Sequence, residues 1–208
     1  MRFIPRLFEG DATVTLSARR PRPGAHIRLN RPDSRAINAV KLEPWPGSPL
    51  QPTGDPMQAA VGAGAYAQRA DETDKTHDGR DLIVPMRVAP NFAVAPEGGD
   101  PMGFAVVGAD KIVAGVVKDL WVDRGESVLR YYEVALKEGA AVLLPATFSM
   151  VDFKRRRIVV SALLGGQFSG APRTRDPNKI TKLEEEKVTA YYGAGTLYAT
   201  PERSEPLL

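Results

Sequence analysis

The 208-residue chain contains no cysteine. That absence excludes a disulfide framework, a thiolate nucleophile and a Cys-ligated zinc site together, and it fits a reducing compartment. Histidine is almost as scarce. His26 and His77 are the only two, 51 positions apart, with no carboxylate spacing that suggests metal ligation. A His-based zinc centre and a catalytic triad are both poorly supplied. No apolar run approaches the roughly 18 residues a helix needs to cross a bilayer. The first residues, Met1-Arg2-Phe3-Ile4-Pro5-Arg6-Leu7-Phe8-Glu9, lack the apolar core of a signal peptide. A hydrolase built on Asp123 and Glu126 as a carboxylate pair would need a nucleophile motif, a Gly-rich phosphate loop or metal-ligand spacing, and none is there.

What is present points to a loop-rich β protein. Hydrophobic residues make up 43%, enough for a core, alongside 19 glycines and 18 prolines; this composition disfavours a helical bundle. The net charge of +3 is unevenly spread. Arg2, Arg6, Arg19, Arg20, Arg22, Arg28, Arg31, Arg35 and Lys41 stand in the first 42 residues against Glu9, Asp11 and Asp33. A basic, Pro-punctuated segment of this kind suits anionic lipid head groups or nucleic acid. The plain alternative is a solvated tail.

Residues 1–100 read as an extended, Pro-rich region. Ala12-Thr13-Val14-Thr15-Leu16 alternates like a strand. Prolines from Pro21 to Pro56 then forbid long helices and central strands, and 43–57 is expected to form no regular structure. Trp45, alone among prolines, reads as an anchor in a partner's groove or as packing on its own domain. The run Asp71 to Arg80 is acidic with His77 inside it, which suits a solvated loop, a loosely held cation or a proton acceptor. Leu82–Val88 reads as a short strand.

Residues 101–208 have a compact β texture. Strands are expected at 104–108, 112–122, 128–136, 140–145, 148–153 and 157–163, separated by turn signals such as Asp123-Arg124-Gly125 and Lys137-Glu138-Gly139. This spacing predicts a small barrel or sandwich. Thr181-Lys182-Leu183-Glu184 is a capping box, and Glu184, Glu185 and Glu186 favour a helix N-terminus. The helix is predicted over about 182–192, ending at Gly193, as the one substantial helix.

The most informative stretch is Ala114 to Glu126. It is a strand pattern ending in a turn where Asp119, Asp123, Glu126 and Arg124 crowd together, with Arg130 four residues on. Clustered carboxylates raise one another's pKa and share protons. The bland reading is a salt-bridged turn, Asp123 and Glu126 with Arg124 and Arg130, that only fixes geometry.

Six pieces in order carry a resemblance: Pro49-Leu50-Gln51-Pro52-Thr53-Gly54-Asp55-Pro56-Met57, Ile83 to Ala89, Ala114 to Asp123, Arg130-Tyr131-Tyr132-Glu133-Val134, Leu183 to Val188, and Ala190 to Arg203. Together they resemble the H subunit of the purple-bacterial photosynthetic reaction centre, over about residues 43–208. The resemblance implies a mainly β fold, a small antiparallel PRC-type barrel with an extended N-terminal segment and one C-terminal helix. It implies an accessory subunit with no active site and no cofactor of its own. Bacteriochlorophyll, bacteriopheophytin, quinones and iron would belong to partner subunits. The implied partners are the L and M subunits, with a cytochrome subunit and light-harvesting polypeptides in the same complex, and no nucleic acid. The implied place is the cytoplasmic face of the inner, photosynthetic membrane. The family's initial membrane-spanning helix has no counterpart in this sequence, so the chain as it stands reads as peripheral.

The family's role implies capping L and M and delivering protons to the secondary quinone. By position, Glu126 corresponds to the relay carboxylate, Asp123 and Arg130 to its polar neighbours, and Glu133 to a further member. Asp74, His77 and Asp78 lie where protons would be taken up. The competing reading is a freestanding PRC-barrel adaptor for a protein or RNA, using Trp45 and the basic segment.

Overall fold

The computed structural model describes residues 3–5 and 35–204. The alternating segment 12–16 and most of the basic N-terminal arginines lie outside the described residues. Among the described residues there are eleven strands: β1 (Phe3–Pro5), β2 (Ala39–Lys41), β3 (Leu50–Pro52), β4 (Ile83–Pro85), β5 (Phe92–Val94), β6 (Ala105–Val107), β7 (Val113–Asp123), β8 (Val128–Leu136), β9 (Ala141–Pro145), β10 (Met150–Asp152) and β11 (Arg157–Val159). One α-helix, α1 (Lys182–Tyr198), stands among the described residues. The protein is mainly β, as composition and turn spacing predict.

Seven strands form one sheet in the order β10-β11-β6-β7-β8-β9, with β4 added to β7. β7 is the spine. Its first half pairs with β6, its last residues pair with β4, and nearly its whole length pairs with β8. Most pairs are antiparallel; β11 runs parallel to β6. β7 and β8 bury both faces over much of their length. Trp121, Leu120, Leu144, Ile158, Leu163, Phe168, Ile180 and Tyr192 are fully buried in one core.

Two register slips in the β7–β8 ladder position everything that follows. Val117 pairs with Val134 and Asp119 with Glu133, so Lys118 is an extra residue. Trp121 pairs with Tyr131 and Val122 with Leu129, so Arg130 is extra on the other strand. Bulges of this kind re-aim side chains, and each lies beside an ionic cluster.

Three expectations need correction. The stretch 43–57 does contain regular structure, because β3 pairs with β2. Pro49 and Pro52 are tolerated there since a two-stranded ribbon leaves one side of each strand unpaired and asks for no N–H on that side. The segment 82–88 is a strand only to Pro85, after which Met86–Val88 turns as a 3-10 helix. The helix does not stop at Gly193 but continues to Tyr198. A Cβ on Gly193 would lie 2.5 Å from the Ala63 carbonyl oxygen, and one on Gly195 would lie 2.4 Å from that of Ala162. These glycines admit close backbone neighbours; they do not end the helix. The capping box is as predicted: Glu184 N–H donates to Thr181 Oγ1 at 3.1 Å, and Thr181 N–H donates to Glu184 Oε2 at 2.8 Å.

Candidate functional site

The turn between β7 and β8 is organised by Asp123. Its side chain is buried at the last residue of β7. Oδ1 accepts from the N–H groups of Gly125 and Glu126 at 2.9 and 3.0 Å, and Oδ2 lies 3.3 Å from Arg130 Nε. An aspartate that bonds the backbone two and three residues ahead fixes a turn, and here it also satisfies a buried charge. Ser127, with φ 55°, closes the loop back to the Asp123 carbonyl. Glu126 is thereby held at the exposed tip, and its carboxylate meets no described partner.

Arg124 does not join the carboxylates, contrary to the sequence expectation. Its guanidinium donates to the carbonyls of Asp81 and Val88 at 3.1 and 3.2 Å, pinning the turn to the segment beside β4. Asp119 also lies away from the turn. It faces across the ladder to Glu133, four residues of strand away from Asp123.

Asp119 and Glu133 form a second cluster around Arg87, which follows β4. Arg87 Nη1 donates to Asp119 Oδ2 at 2.7 Å and to Glu133 Oε2 at 2.6 Å, and Nε donates to Asn178 Oδ1 at 3.1 Å. Nη2 donates to the Pro177 carbonyl. Trp121 Nε1–H donates to Glu133 Oε2 at 3.0 Å, and Lys118 Nζ lies 3.3 Å from Oε1. Burial pushes the Glu133 carboxyl up, but Arg87, Trp121 and Lys118 together hold it below its ordinary value. Glu133 is thus kept ionised, apart from the Asp123 turn. The cluster borders a cavity of about 380 Å³.

The structure also brings in a carboxylate that the sequence reading assigned only to a helix start. Glu185, in the first turn of α1, accepts from the Tyr131 hydroxyl at 3.3 Å. Burial raises its pKa, despite the pull of Tyr131, Arg130 and Arg69. Burial and the Glu185 charge raise that of Tyr131 as well. A cavity of about 430 Å³ is lined by Arg69, Arg130, Tyr131, Glu185, Glu186 and Thr189, among others. Arg130 therefore links two carboxyl groups: buried Asp123 on one side and Glu185 across the cavity on the other. No sequence signal could separate Glu185 from Glu184 and Glu186, because its burial depends on strand β8 more than fifty residues away.

Asp74, His77 and Asp78 lie on one surface loop. His77 is exposed. Asp78 is bonded to Thr76 and to Arg80 Nε at 2.6 Å, and the Thr76 hydroxyl and Arg80 hold its carboxyl below its usual range. Asp74 Oδ1 caps the Lys75 N–H at 3.0 Å and lies 3.8 Å from Lys182 Nζ. Leu82 at the end of this loop accepts from the Arg124 N–H at 2.9 Å, so the loop abuts the turn. Among the described residues no group of three or more His, Asp or Glu is placed to hold a metal ion.

Two family profiles match the chain. One, "Photosynthetic reaction centre, H-chain N-terminal region", covers residues 19–88. The other, "PRC-barrel domain", covers residues 97–166. Together the two matches support a photosynthetic reaction centre H subunit. The H-chain match takes in β2, β3, β4, Arg87 and the Asp74–Asp78 loop, and the PRC-barrel match takes in β6 to β11 with the whole Asp123 turn. H chains are non-catalytic subunits of a membrane-associated complex, so this chain associates with other reaction-centre subunits. Among its described residues no helix is long and apolar enough to cross a membrane.

Proposed function

We propose that this H chain caps the cytoplasmic side of the L and M subunits and helps carry protons to the secondary quinone. The pigments, quinones and iron stay in those partners. The observation that carries the relay is the placing of Arg130 between the buried Asp123 carboxylate and Glu185, with Glu126 free at the exposed tip. That arrangement grades from water to a half-buried carboxyl group. Glu126 exchanges protons with solvent. Asp123 shapes the turn, and its charge with that of Arg130 sets the local potential. Glu185 supplies a carboxyl group whose pKa is raised by burial. Glu133, pinned by Arg87, is an electrostatic neighbour of the path. Protons are gathered at the Asp74, His77 and Asp78 loop, which abuts the turn through Leu82 and Arg124. The H-chain match over 19–88 favours this reading over a freestanding adaptor, which has no use for that region.

Glu126→Gln in the assembled complex tests the relay. The substitution is at an exposed tip, so stability should stay within about 0.5 kcal/mol. Flash-induced transfer of the second electron to the quinone should slow roughly tenfold, a modest share of what a proton-transfer group contributes. The loss should grow as pH rises and protons become scarce. A rate unchanged across pH would remove Glu126 from the path.

A further inference from the structure

The ribbon of β2 and β3 is unusually apolar for a surface element. Ile37, Val40, Leu42, Trp45 and Leu50 fall within fourteen residues, and each is 48% to 71% exposed. Register puts Val40 opposite Gln51 and Lys41 opposite Leu50, so apolar side chains emerge from both faces. A two-stranded ribbon with no packed face is marginal in water, and exposed apolar patches of this kind mark contact surfaces.

The tip is preset. Glu43 N–H donates to the buried Ser48 Oγ at 2.8 Å, Ser48 N–H reaches the Trp45 carbonyl at 3.3 Å, and Gly47 sits at φ 80°. Leu42 N–H to the Pro49 carbonyl at 2.9 Å and Thr53 N–H to the Asn38 carbonyl at 2.8 Å close the ribbon behind it. At the base, Arg35 lies 4.4 Å from the Tyr66 ring centroid and donates to the Tyr66 carbonyl at 2.8 Å, tying the ribbon to the body.

We infer that this ribbon is a membrane-inserting finger, with Trp45 seated at the interface of an anionic bilayer. A protein groove would cover one face of the ribbon, whereas lipid surrounds both. Tryptophan is favoured at the membrane interface. Pro44, Pro46 and Pro49 bring no N–H groups to the tip, which lowers the polar load that enters apolar surroundings. The charge is complementary: residues 19–41 carry six arginines and Lys41 against the single acid Asp33, and such cations are drawn to an anionic surface. The inference does not depend on the proton path, and Glu126→Gln should leave it untouched.

The test uses the full chain with vesicles of equal phosphatidylcholine and phosphatidylglycerol. Trp121 is already buried, so an emission change reports Trp45. The expected result is co-sedimentation with a blue shift, quenched by shallow doxyl lipids. Leu42→Ser, Trp45→Ser and Leu50→Ser combined should weaken partitioning at least about tenfold through lost apolar contact, with the melting curve unchanged. Trp45→Phe should stay within about threefold, and pure phosphatidylcholine should bind at least about tenfold more weakly. Binding without an emission change, or equal partitioning by the triple variant, overturns the inference. So does a blue shift produced by detergent-dispersed reaction-centre core but not by vesicles, which would make the finger's partner a protein.

Discussion

Replacing Arg87 with Met should lower the melting temperature at neutral pH by roughly 5–10 °C. Arg87 is the cation shared by Asp119 and Glu133, whose side chains are 11% and 7% exposed. Removing one partner from a buried ionic cluster costs about 3–5 kcal/mol. Arg87 itself is 35% exposed, and water screens part of the interaction, so about 2–3 kcal/mol is expected. A protein of this size loses about 2–4 °C per kcal/mol. Lys118, mostly exposed at 60%, replaces only a little of the lost charge. The bonds to Asn178 and the Pro177 carbonyl go as well, untying residues 177–178 from Arg87.

The pH dependence gives this prediction its sign. In the native protein the Glu133 pKa is held below its unfolded value. Its contribution is therefore complete above the unfolded value, about 4.3, and is lost as pH falls through the lower folded value. Without Arg87, burial dominates and the ionised Glu133 becomes a liability that protonation relieves. The gap between the two proteins should thus be widest near pH 7 and shrink below about pH 4. Equal melting temperatures, or a gap constant with pH, would contradict the cluster's assigned role.

The second large effect concerns the helix glycines. Gly→Ala inside a helix ordinarily stabilises by about 1 kcal/mol. At Gly195 the added methyl would stand 2.4 Å from the Ala162 carbonyl oxygen and 2.6 Å from Leu163 Cδ2. Neither can yield easily. Ala162 and Leu163 are buried, and Arg203 Nη1 donates to the carbonyls of both Ala162 and Gly195, at 3.0 and 2.8 Å. Overpacking of this order costs about 1–3 kcal/mol beyond the propensity gain. Gly195→Ala should therefore lower the melting temperature by roughly 5 °C. Gly166→Ala, whose Cβ would meet nothing within 4 Å, should leave it within error. A Gly195 variant that melts higher than the native protein would show that α1 does not press on the 162–163 backbone.

How much was legible beforehand follows the range of the interactions. The strands from β6 to β11 announce themselves by alternation and turn residues, and the start of α1 by its capping box. These are local signals. The end of α1 was not readable, because a glycine that stops a helix and one that admits a neighbouring backbone look the same in sequence. The Asp123–Arg130 pair was readable as a turn cluster. Arg87 was not, since its partners lie 32 and 46 residues away. Both bulges were invisible too, and they decide that Glu133 faces Arg87 and that Arg130 faces Asp123. Glu185 belongs to the same class: a residue typical of a helix start, made unusual by the strand that covers it.

The family matches support a reaction-centre H subunit, and the proposed proton path is open to direct test. That test is proton uptake on the second flash, measured with a pH-indicating dye, in reaction-centre core stripped of the H chain and then given it back. Uptake should be slow in the stripped core, recover on adding the native chain, and fail to recover when the Glu126→Gln chain rebinds. Uptake equally fast with and without the chain would contradict the proposed path.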